Sequence, residues 1–184
     1  MRRFFTALPV RDDVSAALRL MQGGVEGARW TAQADFHITL TFIGEADDDT
    51  LAHIDDALRD VRAQAFDFTL AGTGSFAQGQ WPNVLWMGVE APPALADLKQ
   101  QIDSTFRAAG LLYEARKYTP HVTMARLRHA QSDDIARFMQ AHNLYRSPPM
   151  RADYFTLYES LHGQQTGKSE QRYVALADYP LYPA

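Results

Sequence analysis

Two short stretches of the sequence combine residue types that can move protons and bind an anion. Residues 37–39 read His-Ile-Thr and residues 121–123 read His-Val-Thr. An imidazole has an ordinary pKa of about 6.5, so one histidine can accept a proton at neutral pH while another donates one. A threonine hydroxyl can hydrogen-bond to the oxygens of an anionic group. The two stretches are therefore candidates for one acid–base site.

The positions of the two motifs strengthen this interpretation. Six histidines and twelve threonines in 184 residues give about 0.4 His-x-Thr matches by chance, so a single match is weak evidence. Both matches, however, lie in a strand-like segment that follows a strand and a helix and precedes another helix. The alternative is two surface strands that carry these residues by coincidence, and it does not explain the repeated position.

The strand-like composition around each motif fixes the direction of its side chains. Residues i and i+2 of a strand point to the same side. We therefore expect His37, Thr39 and Thr41 on one face of the first strand. In the second strand His121 and Thr123 share a face. The residues between them are apolar and are expected to pack against helices, which leaves the polar faces to water or to a cleft.

Strand-like and helical patterns alternate along the chain, which predicts an α+β fold. Strands are predicted at residues 4–8, 36–44, 65–72, 83–90, 121–127, 153–160 and 173–176, and helices at 14–21, 49–62, 92–110 and 133–144. The order strand, helix, motif strand, helix, strand occurs twice, in units of about 80 residues that are each too small to bury a sheet well. Two such units packed together would enclose a cleft.

We accordingly predict a single domain over residues 1–184, with two pseudo-symmetric lobes that are each an antiparallel sheet flanked by helices. The approximate units are residues 1–72 and 83–160, with a C-terminal strand at 172–184, a turn-rich joint at 72–83 and a polar loop at 162–171.

Composition limits the class of protein. Hydrophobic residues make up 46% and charged residues 22% of the sequence, which is typical of a folded domain. The absence of cysteine excludes disulfides, thiolate zinc sites and cysteine nucleophiles. No stretch has the length and apolar character of a membrane span, and the N-terminus is too short for a signal-peptide core. We expect a monomeric, cytoplasmic protein with no membrane partner.

A phosphodiester suits two facing histidines best. It has an attacking oxygen, an in-line leaving oxygen and two charged oxygens that must be held. The net charge of −4 argues against a protein that coats long nucleic acid and favours an RNA end, a short oligonucleotide or a nucleotide. A zinc site is the competing interpretation, but the sequence has no His-x-His or His-Glu-x-x-His, and threonine is a poor zinc ligand. We expect neither a metal nor another cofactor.

Around the two motifs the sequence resembles the 2H phosphoesterases, and within them the LigT-like RNA 2′,3′-cyclic phosphodiesterases, also called 2′-5′ RNA ligases. Similar stretches cover nearly the whole chain: RRFFTAL, HITLTFIGE, VLWMGVE, RKYTPHVTMAR, LYESL and YVALADYPL. The proline before the second motif and the Ala-Arg after it are specific to that family. Two small departures are Asp35, where an asparagine is common, and Met124, where a leucine is usual.

The resemblance implies a two-lobed α+β fold with a central cleft that hydrolyses RNA 2′,3′-cyclic phosphates to 2′-phosphomonoesters without metal. It implies that His37 is the proton donor and His121 the proton acceptor. Thr39 and Thr123 would hold the phosphate. The spacing of the residues alone leaves open which histidine is the acid.

The resemblance further implies that Arg126 contacts the phosphate and that Phe42 offers a surface to the nucleobase. Strict alternation places both on the face opposite the histidines, so a β-bulge is needed to turn them into the cleft. Two alternative functions use the same residues: a phosphodiesterase acting on small cyclic or 2′-5′ linked nucleotides, and 2′-5′ RNA ligation or RNA-end binding.

The remaining histidines are interpreted as surface, boundary or rim residues rather than catalysts. His53 and His142 belong to helical patterns, His129 to the rim of a strand end and His162 to the polar loop. Arg116 and Lys117 either supply local positive charge for an RNA end beside the second motif or are a plain surface pair. The three tryptophans, Trp30, Trp81 and Trp86, are predicted to be packing residues.

Overall fold

The computed structural model describes residues 2–79, 81–90, 92–115, 117–161 and 172–183. These residues form an α+β fold with four α-helices and a nine-stranded antiparallel sheet. The helices are α1 (Asp12–Leu20), α2 (Asp48–Arg59), α3 (Pro93–Ala108) and α4 (Ser132–His142). The strands are β1 (Arg2–Pro9), β2 (Ala28–Trp30), β3 (His37–Ala46), β4 (Phe66–Gln78), β5 (Trp81–Glu90), β6 (His121–Leu127), β7 (Met150–Ala152), β8 (Tyr154–Ser160) and β9 (Tyr173–Pro180).

All four predicted helices are present, because each has an apolar face at helical spacing and a recognisable end. The carboxylate of Asp47 accepts the backbone N–H of Thr50 and caps α2. After α3, Gly110 takes a φ of 70° and its N–H bonds back to Arg107, as expected of a glycine that ends a helix. No helix among the described residues combines the length and the apolar character needed to cross a lipid bilayer.

The strand order shows how the sheet brings the two motifs together. It runs β7-β4-β5-β6-β3-β1-β8-β9, with β2 attached to β6, so the motif strands β3 and β6 are central neighbours. We call β3-β1-β8-β9 the first half-sheet and β6-β5-β4-β7 the second half-sheet. Each half-sheet contains strands from both sequence units, since β4 pairs with β5 and β8 pairs with β1.

The two half-sheets meet at one pair of residues. Ile38 of β3 lies opposite Val122 of β6, and both are fully buried on the side of the sheet opposite the histidines. Beyond that point β3 and β6 diverge, and β2 takes over the pairing with β6. The divergence opens a cleft between the half-sheets.

The segment at residues 72–83 was predicted to be a joint, and this prediction was wrong. The segment continues β4 and β5 as a long antiparallel hairpin, with Gln78 opposite Trp81 and a turn at Gly79. Its glycines suit close packing, since a Cβ on Gly74 would lie 2.2 Å from the ring of Trp86. The polar loop predicted at 162–171 lies outside the described residues.

The Ile38–Val122 contact is expected to carry a large share of the stability at the centre of the sheet. Truncating a buried isoleucine removes apolar contacts and leaves a cavity, so Ile38→Ala should lower the free energy of unfolding by about 2–5 kcal/mol. Urea denaturation followed by circular dichroism measures this. Leu20→Ala is the matched control, because Leu20 is 88% exposed. A loss of less than about 1 kcal/mol in Ile38→Ala would show that the junction is not a packed core position.

Candidate active site

The cleft between the half-sheets has a volume of about 610 Å³, which is in the range of small-ligand sites. Its lining includes every residue that the sequence singled out as a site candidate: His37, Thr39, Phe42, His121, Thr123 and Arg126. The register explains this meeting. Ile38 lies opposite Val122 in an antiparallel pairing. The same register places His37 opposite Thr123 and Thr39 opposite His121.

Both motif histidines are held in the same way. The Nδ1 atom of His37 lies 2.7 Å from the carbonyl oxygen of Asp35, and the Nδ1 atom of His121 lies 2.7 Å from the carbonyl oxygen of Thr119. A carbonyl can only accept, so in each ring Nδ1 carries the hydrogen and donates it. The Nε2 atom of each neutral ring therefore keeps its lone pair, available to accept a proton or, once protonated, to donate one.

Aromatic rings enclose His37 on the side of the first half-sheet. The ring centroid of Phe5 is 4.9 Å away, that of Tyr173 is 5.0 Å away and nearly perpendicular, and that of Tyr158 is 6.0 Å away. This burial lowers the pKa of His37 to about 4, and the nearby positive charge of Arg126 acts in the same direction. His37 is therefore neutral at pH 7 in the free protein.

His121 has an equivalent aromatic environment in the second half-sheet. Its ring lies 4.8 Å from that of Phe76, edge to face, and 6.2 Å from that of Trp86. The ring of Trp86 packs closely on β4 because its cross-strand partner there is Gly74, which has no side chain to block it. Burial lowers the pKa of His121 below its ordinary value, and Arg126 contributes to the same effect.

A β-bulge in β3 turns Phe42 into the cleft. In the pairing with β1, Thr6 lies opposite Thr41 and Ala7 lies opposite Thr39, so Leu40 is an extra residue and the alternation shifts by one position. Phe42 consequently faces the cleft with 41% of its surface exposed.

The prediction that Thr41 shares the face of His37 was wrong, and the bulge is the reason. Thr41 is buried behind the sheet, where its hydroxyl donates to the Asp103 carboxylate of α3 at 2.8 Å. Lys99 forms an ion pair with the same carboxylate. This polar cluster ties the bulge in β3 to the helix that covers it.

A matching bulge in β6 turns Arg126 into the cleft. Leu85 of β5 lies opposite Ala125 and Trp86 lies opposite Thr123, so Met124 is the extra residue. Arg126 then occupies the position in β6 that Phe42 occupies in β3, five residues after the motif histidine. Strict alternation would have placed Phe42 and Arg126 on the face opposite the histidines. The two bulges turn both side chains into the cleft.

Asp35 and Tyr173 are site residues that the motifs did not reveal. The Asp35 carboxylate is buried and accepts the backbone N–H of Arg172 at 3.0 and 3.1 Å, while its carbonyl holds His37. This bond fixes the start of β9 and places Tyr173 against His37. Burial raises the pKa of the Tyr173 hydroxyl, which lies within reach of the Arg126 guanidinium. The bond between Asp35 and Arg172 joins residues 137 positions apart, so no local pattern signals it.

The other sequence interpretations have mixed outcomes. His53 and His129 are exposed and His142 is half-buried, as expected of surface and boundary residues. Trp30 packs on Phe138, but the packing prediction was wrong for Trp81, which is 69% exposed at the hairpin end.

Two further interpretations concern charge and metal binding. Arg116 and His162 lie outside the described residues, and Lys117 is exposed. Within the described ranges, no three His, Asp or Glu side chains lie close enough together to hold a metal ion.

Comparison with known proteins places this fold in a family. The model of the 2′-5′ RNA ligase superfamily matches residues 12–164. An RNA 2′,3′-cyclic phosphodiesterase of Thermotoga maritima is 33% identical over 134 residues, which cover 69% of this chain and 71% of the relative. Another, from Geobacillus stearothermophilus, is 26% identical over 187 residues, which cover 98% of this chain but 58% of the relative. This chain therefore spans less than two thirds of the Geobacillus protein.

Solved structures agree on the fold. The crystal structure of E. coli LigT complexed with 3′-AMP has a TM-score of 0.75 at 22% identity and covers 98% of both chains. At 22% identity, the similarity to this structure shows a shared fold and nothing more. The family model, in contrast, matches most of the sequence. On that match, the chain belongs to the 2′-5′ RNA ligase superfamily.

Proposed function

We propose that this protein hydrolyses RNA 2′,3′-cyclic phosphate ends to 2′-phosphomonoesters by two-histidine acid–base catalysis without metal. The observation that carries the proposal is the pair of motif histidines, each held at Nδ1 by a backbone carbonyl and each lining the same cleft. Relatives named RNA 2′,3′-cyclic phosphodiesterase support the substrate class.

The reaction needs one proton removed and one supplied. Nε2 of His121 takes a proton from water as the water oxygen attacks phosphorus, and the bond from phosphorus to O3′ breaks. Nε2 of protonated His37 gives its proton to O3′, which leaves a free 3′-hydroxyl and a 2′-phosphate. Burial lowers the pKa of His37 to about 4, so this assignment requires the bound phosphodiester anion to raise that pKa and hold the proton on His37 in the complex.

The other cleft residues act on the phosphate and the base. The hydroxyls of Thr39 and Thr123 donate to the non-bridging oxygens as charge builds up on them. Arg126 adds a fixed positive charge to the wall of the cleft that carries Thr123, since both residues belong to β6. Phe42, exposed in the cleft and 6.1 Å from Phe5 between ring centroids, offers a flat surface to the terminal base.

We also propose that the enzyme acts in the cytoplasm as a monomer, which one chain allows because it supplies both motifs of the cleft. Two other reactions use the same groups. Small cyclic or 2′-5′ linked nucleotides would need only the centre of the cleft, and ligation would replace the attacking water with a 5′-hydroxyl. Products formed from an RNA oligonucleotide separate these cases.

The direct test is hydrolysis of an oligonucleotide ending in a 2′,3′-cyclic phosphate, assayed in EDTA with the product resolved by chromatography. We expect the 2′-phosphate as product and an unchanged rate in EDTA. His37→Ala and His121→Ala should each lower kcat by about 100-fold or more, since each removes one proton transfer. His53→Ala is the matched control, because His53 is exposed on α2.

Three outcomes of this experiment would contradict the proposal. Loss of wild-type activity in EDTA would refute a metal-free reaction. Near-normal hydrolysis by either histidine variant would refute the two-histidine mechanism. A ligated product without hydrolysis would assign the cleft to RNA ligation.

The lowered histidine pKa values predict an acid-shifted pH dependence. The reactive form has one protonated and one neutral histidine, so kcat/KM should peak between about 4, the pKa of His37, and the lowered pKa of His121. Above that range kcat/KM falls because the donated proton is lost. A bound phosphodiester anion raises both pKa values, so kcat should peak at a higher pH than kcat/KM. A flat kcat/KM profile, or a maximum above about pH 7, would contradict this account.

A further inference from the structure

Two arginines face each other across the end of the cleft. Arg29 of β2 is the direct cross-strand partner of Arg126 of β6, and both line the cleft. Like charges directly opposite one another on a sheet repel. An anion bound between them would remove the repulsion, so the pair has the character of a phosphate site.

Of the four arginines that line the described part of the cleft, Arg3 is paired with Glu45 and the other three have no ion pair. Ion pairs with Asp or Glu involve Arg2, Arg3, Arg11, Arg59, Arg137, Arg146 and Arg151. Within the part of the chain that the structure describes, Arg29, Arg126 and Arg172 line the cleft without a carboxylate at ion-pair distance. A protein of net charge −4 thus keeps three arginines outside ion pairs in a cleft that Asp35, Glu45 and Glu114 also line.

The cleft is polarised along its length. Because β3 and β6 are antiparallel, Phe42 and Arg126 lie toward opposite ends. The Phe42 end carries Glu114, whose backbone N–H bonds to the carbonyl of Phe42, and the ion pair of Glu45 with Arg3. Arg29 lies at the Arg126 end. A nucleic acid strand entering the cleft would therefore extend its backbone toward Arg29 and away from the carboxylates.

A second cavity lies beside the C-terminal end of β6, lined in part by the residues that follow Arg126 along the chain. It has a volume of about 570 Å³ and is lined by Arg128, His129 and the exposed ring of Trp81. Aromatic rings beside cations are the usual surface for single-stranded nucleic acid, since bases stack on the rings while cations follow the phosphates.

From these observations we infer that Arg29 binds the internucleotide phosphate on the 5′ side of the terminal nucleotide, so that the enzyme prefers an oligonucleotide to a mononucleotide. The inference rests on the proposed function. Arg126 is the next residue of β6 after Thr123 to line the cleft and is the cross-strand partner of Arg29, so it would lie between the two phosphates. Arg29 is a specificity residue here and takes no part in proton transfer.

The test compares three substrates: a nucleoside 2′,3′-cyclic phosphate, the dinucleotide with the same cyclic end, and that dinucleotide with a neutral methylphosphonate linkage. The wild type should have a kcat/KM about tenfold higher for the charged dinucleotide than for the mononucleotide, as expected for one charge-assisted hydrogen bond. The neutral linkage should remove this advantage without any change to the protein.

Arg29→Ala should lose the same advantage, keep the wild-type rate on the mononucleotide and be insensitive to the methylphosphonate. Arg29→Lys should restore part of the preference. Arg19→Ala is the matched control, because Arg19 is exposed on α1 and does not line the cleft. Since Arg29 is also exposed, its variants should keep the wild-type urea midpoint.

The inference and the proposed function fail in different ways. A wild type without activity on any of the three substrates overturns the proposed function. A wild type that is active but has equal kcat/KM on the charged dinucleotide and the mononucleotide overturns only the inference. So does an Arg29→Ala variant that keeps the preference, or one that loses mononucleotide hydrolysis to the same degree.

Discussion

The packing of Ile38 against Val122 is the contact on which the arrangement of the cleft depends. These two residues are the point where β3 and β6 pair, and both are fully buried beneath the sheet. Because strand neighbours alternate in direction, burying them directs the flanking histidines and threonines to the opposite face. A shift of the register by one residue would turn the polar side chains into the core and the apolar ones into the cleft.

Around this contact, the two halves of the site are built from equivalent parts. Each histidine is oriented by the carbonyl two residues before it, and each motif strand has a bulge that brings the fifth residue after the histidine into the cleft. The two halves differ in what those positions carry. Phe42 is apolar and Arg126 is charged, so a pseudo-symmetric scaffold gives an asymmetric cleft with one end suited to a base and the other to a phosphate.

The sequence predicted the α+β class and all four helices, because apolar spacing and capping residues are local signals. It also predicted that the motif strands meet, through their repeated position. It misplaced Thr41, because the extra residue at Leu40 is set by pairing with a strand more than 30 positions away. Tyr173 was missed for the same reason, since it reaches His37 only through the fold. The exposure of Trp81 reflects a hairpin end that composition alone does not distinguish from a core strand.

The central claim is that one phosphate lies between the two motifs. A crystal structure with a bound nucleoside 2′-phosphate, the product of the proposed reaction, tests it most directly. We predict phosphate oxygens within about 3.2 Å of Nε2 of both His37 and His121, with the hydroxyls of Thr39 and Thr123 on the remaining oxygens. A phosphate that contacts one motif only, or that binds outside the cleft, would contradict the account.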